Sequence, residues 1–396
     1  MPKVLRIINR FNLGGPTYNV AYLSKYLSSD YQTLLVGGQK DESEDSSEFI
    51  LDKLDLKPVI VEEMMREINI KNDREAYRKI KKIITEYKPD IVHTHAAKAG
   101  TLGRLAAYNC NVPVIIHTFH GHVFHSYFGK LKTIFYKSIE RYLASKSTVI
   151  IAISEKQKEE LTIEHRICKP EKVRIVPLGF DLQKFQDNQQ QKRDDFRAKY
   201  LLNDDEIAIG IIGRLVPVKN HHMFIDAIKV VAEKTSKKVR AFIIGDGESR
   251  DELLDYTASK KIDFVEFTKH QEKKLITYTS WIKDADWALA GLDILCLTSF
   301  NEGTPVSLIE AQAANKPIVT TKVGGIENVV LENKTAFLHQ LKDFDGFCNS
   351  VLKLVEDEKL RSQMSLQGWE HVRESYHYTR LVNNMEKLYN ELLNNK

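Results

Sequence analysis

The sequence predicts an α/β protein made of two Rossmann-like, doubly wound parallel sheets. Three observations lead there. Apolar runs of four to six residues alternate with amphipathic helical stretches through most of the chain, and runs buried on both faces with helices between them are the pattern of parallel strands. At 396 residues, 42% hydrophobic and 28% charged, the chain is too long for one core; it suits two domains of about 180 residues each. A polar stretch from Lys184 to Tyr200, rich in Gln, Asp, Lys and Arg, interrupts the alternation before strands restart.

Val4–Ile8 is the first strand. It runs into Asn12-Leu13-Gly14-Gly15-Pro16-Thr17 and a helix from about Tyr18. Paired glycines let the backbone approach a ligand where a Cβ would clash, and they equally suit a plain tight turn. The loop is not the Gly-x-Gly-x-x-Gly dinucleotide fingerprint. Thr33–Val36, Ile91–Thr94, Val114–Thr118, Val149–Ser154 and Arg174–Leu178 complete the strands of this half. The segment Phe124 to Lys146 mixes Phe124, Tyr127, Phe128, Phe135, Tyr136 and Tyr142 with Lys130, Lys132, Lys137, Arg141 and Lys146. It reads either as a helix packed on the sheet with a solvated basic face or as one that docks on an anionic membrane surface.

The second half begins with Ile207–Ile212 and continues with Arg240–Ile244, Asp293–Thr298 and Pro317–Thr321. The expected domains are 1–183 and 200–375, joined by a linker at 184–199, with an amphipathic helix at 376–396 packing back on the first. Ligands of open parallel sheets sit at the carboxyl ends of strands. The two domains are expected to face each other across a cleft that holds the site.

Composition narrows the class. A formal net charge of +4 gives no case for nucleic acid. Cys110, Cys168, Cys296 and Cys348 are scattered without metal-type spacing and read as reduced thiols of a cytoplasmic protein. Met1-Pro2-Lys3 leads straight into a strand, so no signal peptide is expected. No apolar run approaches the ~20 residues of a membrane span.

The most informative segment is Ser299-Phe300-Asn301-Glu302-Gly303-Thr304-Pro305-Val306-Ser307-Leu308-Ile309-Glu310. Thr304 is expected to cap a helix whose first position is Pro305. The free N–H groups of that first turn suit a phosphate. Glu302 lies in the loop and Glu310 about one and a half turns into the helix, so both can face one ligand. A solvated loop Glu and an ordinary helix residue account for the spacing equally well. After Ile207–Ile212 come Gly213-Arg214-Leu215 and Lys219, two cations at the mouth of a sheet: Arg offers a planar fork to phosphate oxygens and Lys a movable point charge. After Arg240–Ile244 come Gly245-Asp246-Gly247, a tight turn near a base or a plain loop. After Pro317–Thr321 come Gly324-Gly325-Ile326-Glu327, where Glu327 reads as a helix cap rather than a ligand contact.

Six of the thirteen histidines are His93, His95, His117, His120, His122 and His125. No acidic side chain interleaves with them and Cys110 is the one thiol between them, without metal-type spacing, which disfavours a metal. His120 stands just past a strand before Gly121, placed to donate to a sugar hydroxyl or to assist charge in a transition state. Asp284 and Asp286 form an Asp-x-Asp, but first-turn carboxylates of a helix explain them without metal.

Taken together, these residues resemble the retaining glycosyltransferases of family 4, which have the GT-B fold. The resemblance spans nearly the whole chain. It takes in Gly14-Gly15, His117-Thr118-Phe119-His120-Gly121, Ile175-Val176-Pro177-Leu178-Gly179, Gly213-Arg214-Leu215 with Lys219, Gly245-Asp246-Gly247, Glu302 and Glu310 separated by seven residues, Pro317-Ile318-Val319, and Gly324-Gly325-Ile326-Glu327. It implies that Arg214 and Lys219 bind the donor diphosphate, Glu310 the ribose hydroxyls, and Glu302 hydroxyls of the transferred sugar. It also implies that His120 contacts that sugar near its reacting face and that Gly15 offers a backbone N–H to the diphosphate. His120, Arg214, Lys219 and Glu302 are then the catalytic set. Gly14, Gly15, Gly245, Gly247, Gly303, Thr304, Pro305, Val306 and Glu310 join the cations and Glu302 in donor binding. The expected activity is retaining transfer from a nucleotide-sugar, with UDP favoured, to a glycan or lipid-linked acceptor in cell-surface polysaccharide or glycoconjugate synthesis, with no metal cofactor. A nucleotide-sugar 2-epimerase of the same fold and an inactive sugar-nucleotide-binding protein are the competing readings. Two departures from the family stand out. The stretch between Gly247 and Trp281 is long, so residues around Gln271 to Ser280 are expected to reshape the base pocket, and Ser280 stands where glycine is common.

Overall fold

The computed structural model describes residues 1–11, 15–39, 48–65, 67–120 and 130–394. The chain divides into two compact units, Met1–Phe180 with Tyr376–Lys396, and Asp181–Ser375.

Among the described residues the first unit is built on a seven-stranded sheet: β1 (Lys3–Arg10), β2 (Gln32–Gly38), β3 (Val59–Ile60), β4 (Ile91–His95), β5 (Val114–Thr118), β6 (Val149–Ala152) and β7 (Val173–Ile175). Their order is β3-β2-β1-β4-β5-β6-β7, all parallel. β1, β5 and β6 carry apolar runs, and they and β4 are largely buried because helices cover both faces. The helix Tyr378–Asn394 closes one face. Leu381, Val382, Met385, Leu388 and Tyr389 form a stripe at helical spacing that packs with Val4, Leu23, Ile91 and Val114. Arg380 anchors its first turn by donating to the carbonyls of Pro177 and Leu178 at 2.8 and 2.6 Å.

In the second unit the described strands are β8 (Glu206–Ile212), β9 (Lys238–Ile244), β10 (Phe264–Glu266), β11 (Ile276–Ser280), β12 (Ile294–Leu297), β13 (Ile318–Thr321) and β14 (Ala336–His339). Their order is β10-β11-β9-β8-β12-β13-β14, again parallel. Each sheet reverses its winding once, between β1 and β4 in the first unit and between β8 and β12 in the second. Such switch points open a crevice at the carboxyl ends of the strands.

One expectation is corrected and one strand is added. Residues 184–199 are not a free linker: helix Gln189–Lys199 belongs to the second unit. Its polar composition hides Phe196, which is fully buried and packs edge-on against Phe242 and Trp287, with ring centroids 5.4 and 5.0 Å apart. Arg193 and Arg197 hold the other side of the helix to Asp293 at 2.8 and 3.4 Å. Ile276–Ser280, absent from the expected strands, is β11, paired with both β9 and β10. Its polar side chains are satisfied in the core. Tyr278 Oη bonds Thr257 Oγ1 at 2.7 Å, and Thr277 Oγ1 accepts from Arg240 at 3.1 Å.

Candidate active site

In the second unit the site elements gather at the β8/β12 switch point. Past β8 the chain runs through Gly213 and Arg214 into a single 3-10 turn, Pro217–Lys219, and Asn220 takes the left-handed conformation at φ 51°. Past β12 the buried Thr298 ties the two loops together, donating to the carbonyls of Lys219 and Asn220 at 3.1 and 2.9 Å. The Phe300 N–H adds a bond to Val218 O at 2.8 Å. These bonds deliver Lys219 to Glu302, with Nζ and Oε1 2.6 Å apart. Ser299 Oγ donates to the same oxygen at 2.6 Å, so the carboxylate is fixed from two sides. Arg214 is exposed, and among the described residues its guanidinium has no ion-pair partner.

A third loop supports the second. Gly324, at φ 57°, lies against the Glu302 carbonyl so closely that a Cβ there would come within 1.9 Å of the oxygen, and the Gly325 N–H bonds that same carbonyl at 2.9 Å. The two glycines therefore serve as a backbone shelf under Glu302. Gly245 is close-packed in the same way, since a Cβ there would meet Gly213 O at 1.9 Å. Gly247 sits beside it, its N–H bonded to its neighbour Asp246 Oδ1 at 2.8 Å. Gly303 is exposed and faces open space. Ser280 adopts φ 61°, a conformation that favours glycine, and its Oγ donates to Asp246 Oδ2 at 2.6 Å.

The helix that follows begins at Val306, one residue later than expected. Pro305 precedes it with φ −71° and ψ 104°, and no side chain caps the start. The proline ring fixes φ but leaves ψ extended. The Pro305 carbonyl then accepts the Leu308 N–H at 3.1 Å, which leaves Thr304 a residue too early to cap. The N–H groups of Val306 and Ser307 lack intrahelical acceptors, as at any helix start. Glu310 is partly buried on this helix, and burial pushes its carboxyl up to about 7, with Lys184 opposing and Asp286 reinforcing the shift. Asp286 itself is engaged by Lys192 at 2.8 Å, and Glu327 by Lys322 at 3.0 Å. Among the described residues no group of three or more His, Cys, Asp or Glu side chains is arranged to hold a metal.

In the first unit, Gly15 opens the helix Gly15–Tyr26 after β1; Gly14 lies outside the described residues. His120 follows β5, and its Nε2 is paired with His95 Nδ1 at 2.9 Å. Burial holds the His120 imidazole neutral, down to about 4. His117 is buried and bonds Thr94 Oγ1 at 2.8 Å, while His93 bonds Tyr389 Oη and Thr118 Oγ1, each at 2.7 Å. Sequence reasoning missed Ser299, Thr298 and His95. A serine beside a glutamate or a histidine within a strand carries no spacing signal of its own. Of the segment Phe124 to Lys146, residues 124–129 lie outside the described residues. The rest forms helix Lys130–Lys146, which buries Glu140, Leu143 and Ala144 and exposes Ile134, Phe135 and Tyr142. Arg141 is turned to the carbonyls of Arg166 and His165, both at 2.9 Å. No described helix is long and apolar enough to cross a membrane.

Comparison with known proteins agrees with this geometry. Residues 13–184 match the family described as Glycosyltransferase Family 4, and residues 192–370 that described as Glycosyl transferases group 1. An Escherichia coli UDP-Gal:alpha-D-GlcNAc-diphosphoundecaprenol alpha-1,3-galactosyltransferase is 30% identical over 344 residues, covering 86% of this chain and 85% of that one. The capsular polysaccharide biosynthesis glycosyltransferase CapM of Staphylococcus aureus is 27% identical, covering 83% and 84%. The solved structure of Anabaena HepE in complex with UDP superposes with a TM-score of 0.78 over 98% of this chain and 100% of that one, at 16% identity. Fold and site together define a glycosyltransferase of the GT-B fold. The chain belongs to glycosyltransferase family 4.

Proposed function

We propose that the protein is a retaining glycosyltransferase that moves a sugar from a nucleotide-diphosphate donor, a UDP-sugar by preference, to a glycan or lipid-linked acceptor in the synthesis of a cell-surface polysaccharide or glycoconjugate. The observation that carries the proposal is the Lys219–Glu302 contact at 2.6 Å in front of the helix start at Val306. It places a group suited to a phosphate next to one suited to sugar hydroxyls. Names of relatives support the donor and acceptor class: one uses UDP-Gal and a diphosphoundecaprenol-linked GlcNAc, another serves capsule synthesis.

In this reading Arg214, Lys219 and the N–H groups of Val306 and Ser307 take the diphosphate, and Gly15 adds a backbone N–H. Glu310 accepts from the ribose, Glu302 from the transferred sugar, and His120 contacts that sugar as a neutral imidazole. The bond from the anomeric carbon to the diphosphate oxygen breaks, and the carbon gains positive character. The acceptor oxygen then bonds to it from the same face and passes its proton to the departing phosphate oxygen, so configuration is retained. Fixed positive groups stabilise the leaving charge most strongly in a site that excludes water. The reaction is proposed to need no metal, and the protein to work in the cytoplasm against the inner membrane face.

A thermal-shift panel of UDP, GDP, ADP and their sugars is the first test, since a ligand that binds the folded state raises its apparent stability. UDP and one UDP-sugar are expected to shift the transition; a response confined to GDP or ADP overturns the donor choice. NMR of the product then reads the anomeric configuration. An inverted product removes the retaining mechanism, and a changed sugar without acceptor transfer marks an epimerase. Activity unaffected by EDTA is expected, and its loss refutes the metal-free reading.

A further inference from the structure

His120 does not stand alone. Its Nε2 meets His95 Nδ1 at 2.9 Å, and the two rings lie stacked with centroids 5.2 Å apart. His95 is fully buried at the end of β4, beside the sheet's switch point. Its other face is covered by His93, centroid to centroid 4.1 Å.

His93 is held by a chain of hydrogen bonds. The buried Arg6 can only donate, and its Nη2 reaches Tyr389 Oη at 3.3 Å. Tyr389 Oη in turn bonds His93 Nδ1, and His93 Nε2 bonds Thr118 Oγ1, each at 2.7 Å. The helix Tyr378–Asn394 thus braces the ring on which His95 rests.

A hydrogen bond between two neutral imidazoles holds one proton. If His95 donates, His120 keeps its own proton on Nδ1; if His120 donates, its Nδ1 is bare. Among the described residues, His120 Nδ1 and His95 Nε2 are buried atoms without a hydrogen-bond partner. The bond to His95 therefore stops His120 from rotating and couples its tautomer to that of His95.

We propose that His95 is a positioning residue for His120, fixing its ring and committing it to one tautomer so that Nδ1 meets a sugar hydroxyl with a defined polarity. This rests on the reading of His120 as a contact to the transferred sugar. Neither composition nor spacing marks His95 for such a role; only the 2.9 Å contact does.

Two substitutions separate positioning from packing. His95→Phe keeps a ring on His93 but offers His120 no partner. His95→Asn places an amide where Nδ1 stood. With a donor that the wild type turns over, His95→Phe is expected to lower kcat about tenfold, the worth of one hydrogen bond, with donor KM within about twofold, whereas His95→Asn keeps kcat within about threefold of wild type. Wild-type kcat in a folded His95→Phe protein overturns the proposal, and so does an equal loss in both variants. Imidazole ¹⁵N NMR of the wild type gives a readout independent of turnover. His120 should show one protonated and one bare nitrogen, a pattern that averages in His95→Phe. Averaged nitrogens in the wild type overturn the pairing. A wild type that transfers no sugar refutes the glycosyltransfer reading and the proposed role with it, while the NMR result still decides whether His95 fixes the tautomer.

Discussion

Lys219 and Glu302, 83 positions apart, meet at 2.6 Å beyond the ends of adjoining strands β8 and β12. The contact is built from outside the pair: Thr298 bonds the Lys219 carbonyl, Ser299 bonds the Glu302 carboxylate, and Gly324-Gly325 carry the Glu302 backbone. Lys219 is thus held against Glu302, while Arg214 remains exposed and unpaired among the described residues.

Glu302→Gln separates the sugar contact from the diphosphate contact. It removes the charge that Lys219 faces, so UDP affinity by calorimetry should hold or rise. Transfer should fall about 10²-fold, the scale for loss of one charged contact in a transition state. Weaker UDP binding together with normal kcat would reverse the assignment.

Glu310 gives the site a pH dependence with a definite sign. Burial raises its pKa from 4.5 to about 7, so the folded state keeps a proton that the unfolded chain has lost over that range. Its contribution to stability therefore falls as pH rises from 4.5 to about 7. At pH 8 the ligand-free Glu310→Gln protein is expected to be more stable than wild type, on the order of 1–3 kcal/mol. The ionised form is the better acceptor for ribose hydroxyls, so donor KM should drop as pH climbs through about 7 in the wild type and stay flat in Glu310→Gln. Parallel KM profiles for the two proteins refute this role.

Gly324→Ala tests the shelf under Glu302. A Cβ there must displace the Glu302 carbonyl from 1.9 Å at a left-handed φ of 57°. The strained backbone costs about 1 kcal/mol and the displaced loop more. Denaturant unfolding should show the loss, and transfer should fall beyond what the remaining folded fraction explains. A variant with full transfer shows that the shelf does not position Glu302.

Much of this was legible in the chain. β1, β5, β8, β9 and β12 announce themselves as apolar runs because each is covered on both faces. The meeting of Lys219 with Glu302 was legible because parallel sheets present their loops at one end. β11 was not, because Thr277, Tyr278 and Thr279 read as polar until Arg240 and Thr257 are seen to satisfy two of them. The helix at Gln189–Lys199 escaped for a related reason, since its burial rests mainly on Phe196 amid ten residues that are mostly charged or amides. The start at Val306 rather than Pro305 turned on one ψ angle, which a proline does not dictate.

The exposed Ile134, Phe135 and Tyr142 on helix Lys130–Lys146 make a membrane contact testable. The protein should float with anionic liposomes at low salt and be released as salt screens the basic side chains. Exchanging Ile134 and Phe135 for serine should weaken flotation. No binding at low salt removes the membrane surface as a partner.

In the proposed reaction Arg214 and Lys219 grip the diphosphate of a nucleotide-sugar. Its most direct test is acceptor-dependent nucleotide release from UDP-sugars by the wild type and by a folded Arg214→Ala/Lys219→Ala protein. Turnover of at least one UDP-sugar by the wild type is expected, with a loss of at least about 10³-fold in the double variant. Turnover by the double variant at the wild-type rate would contradict it.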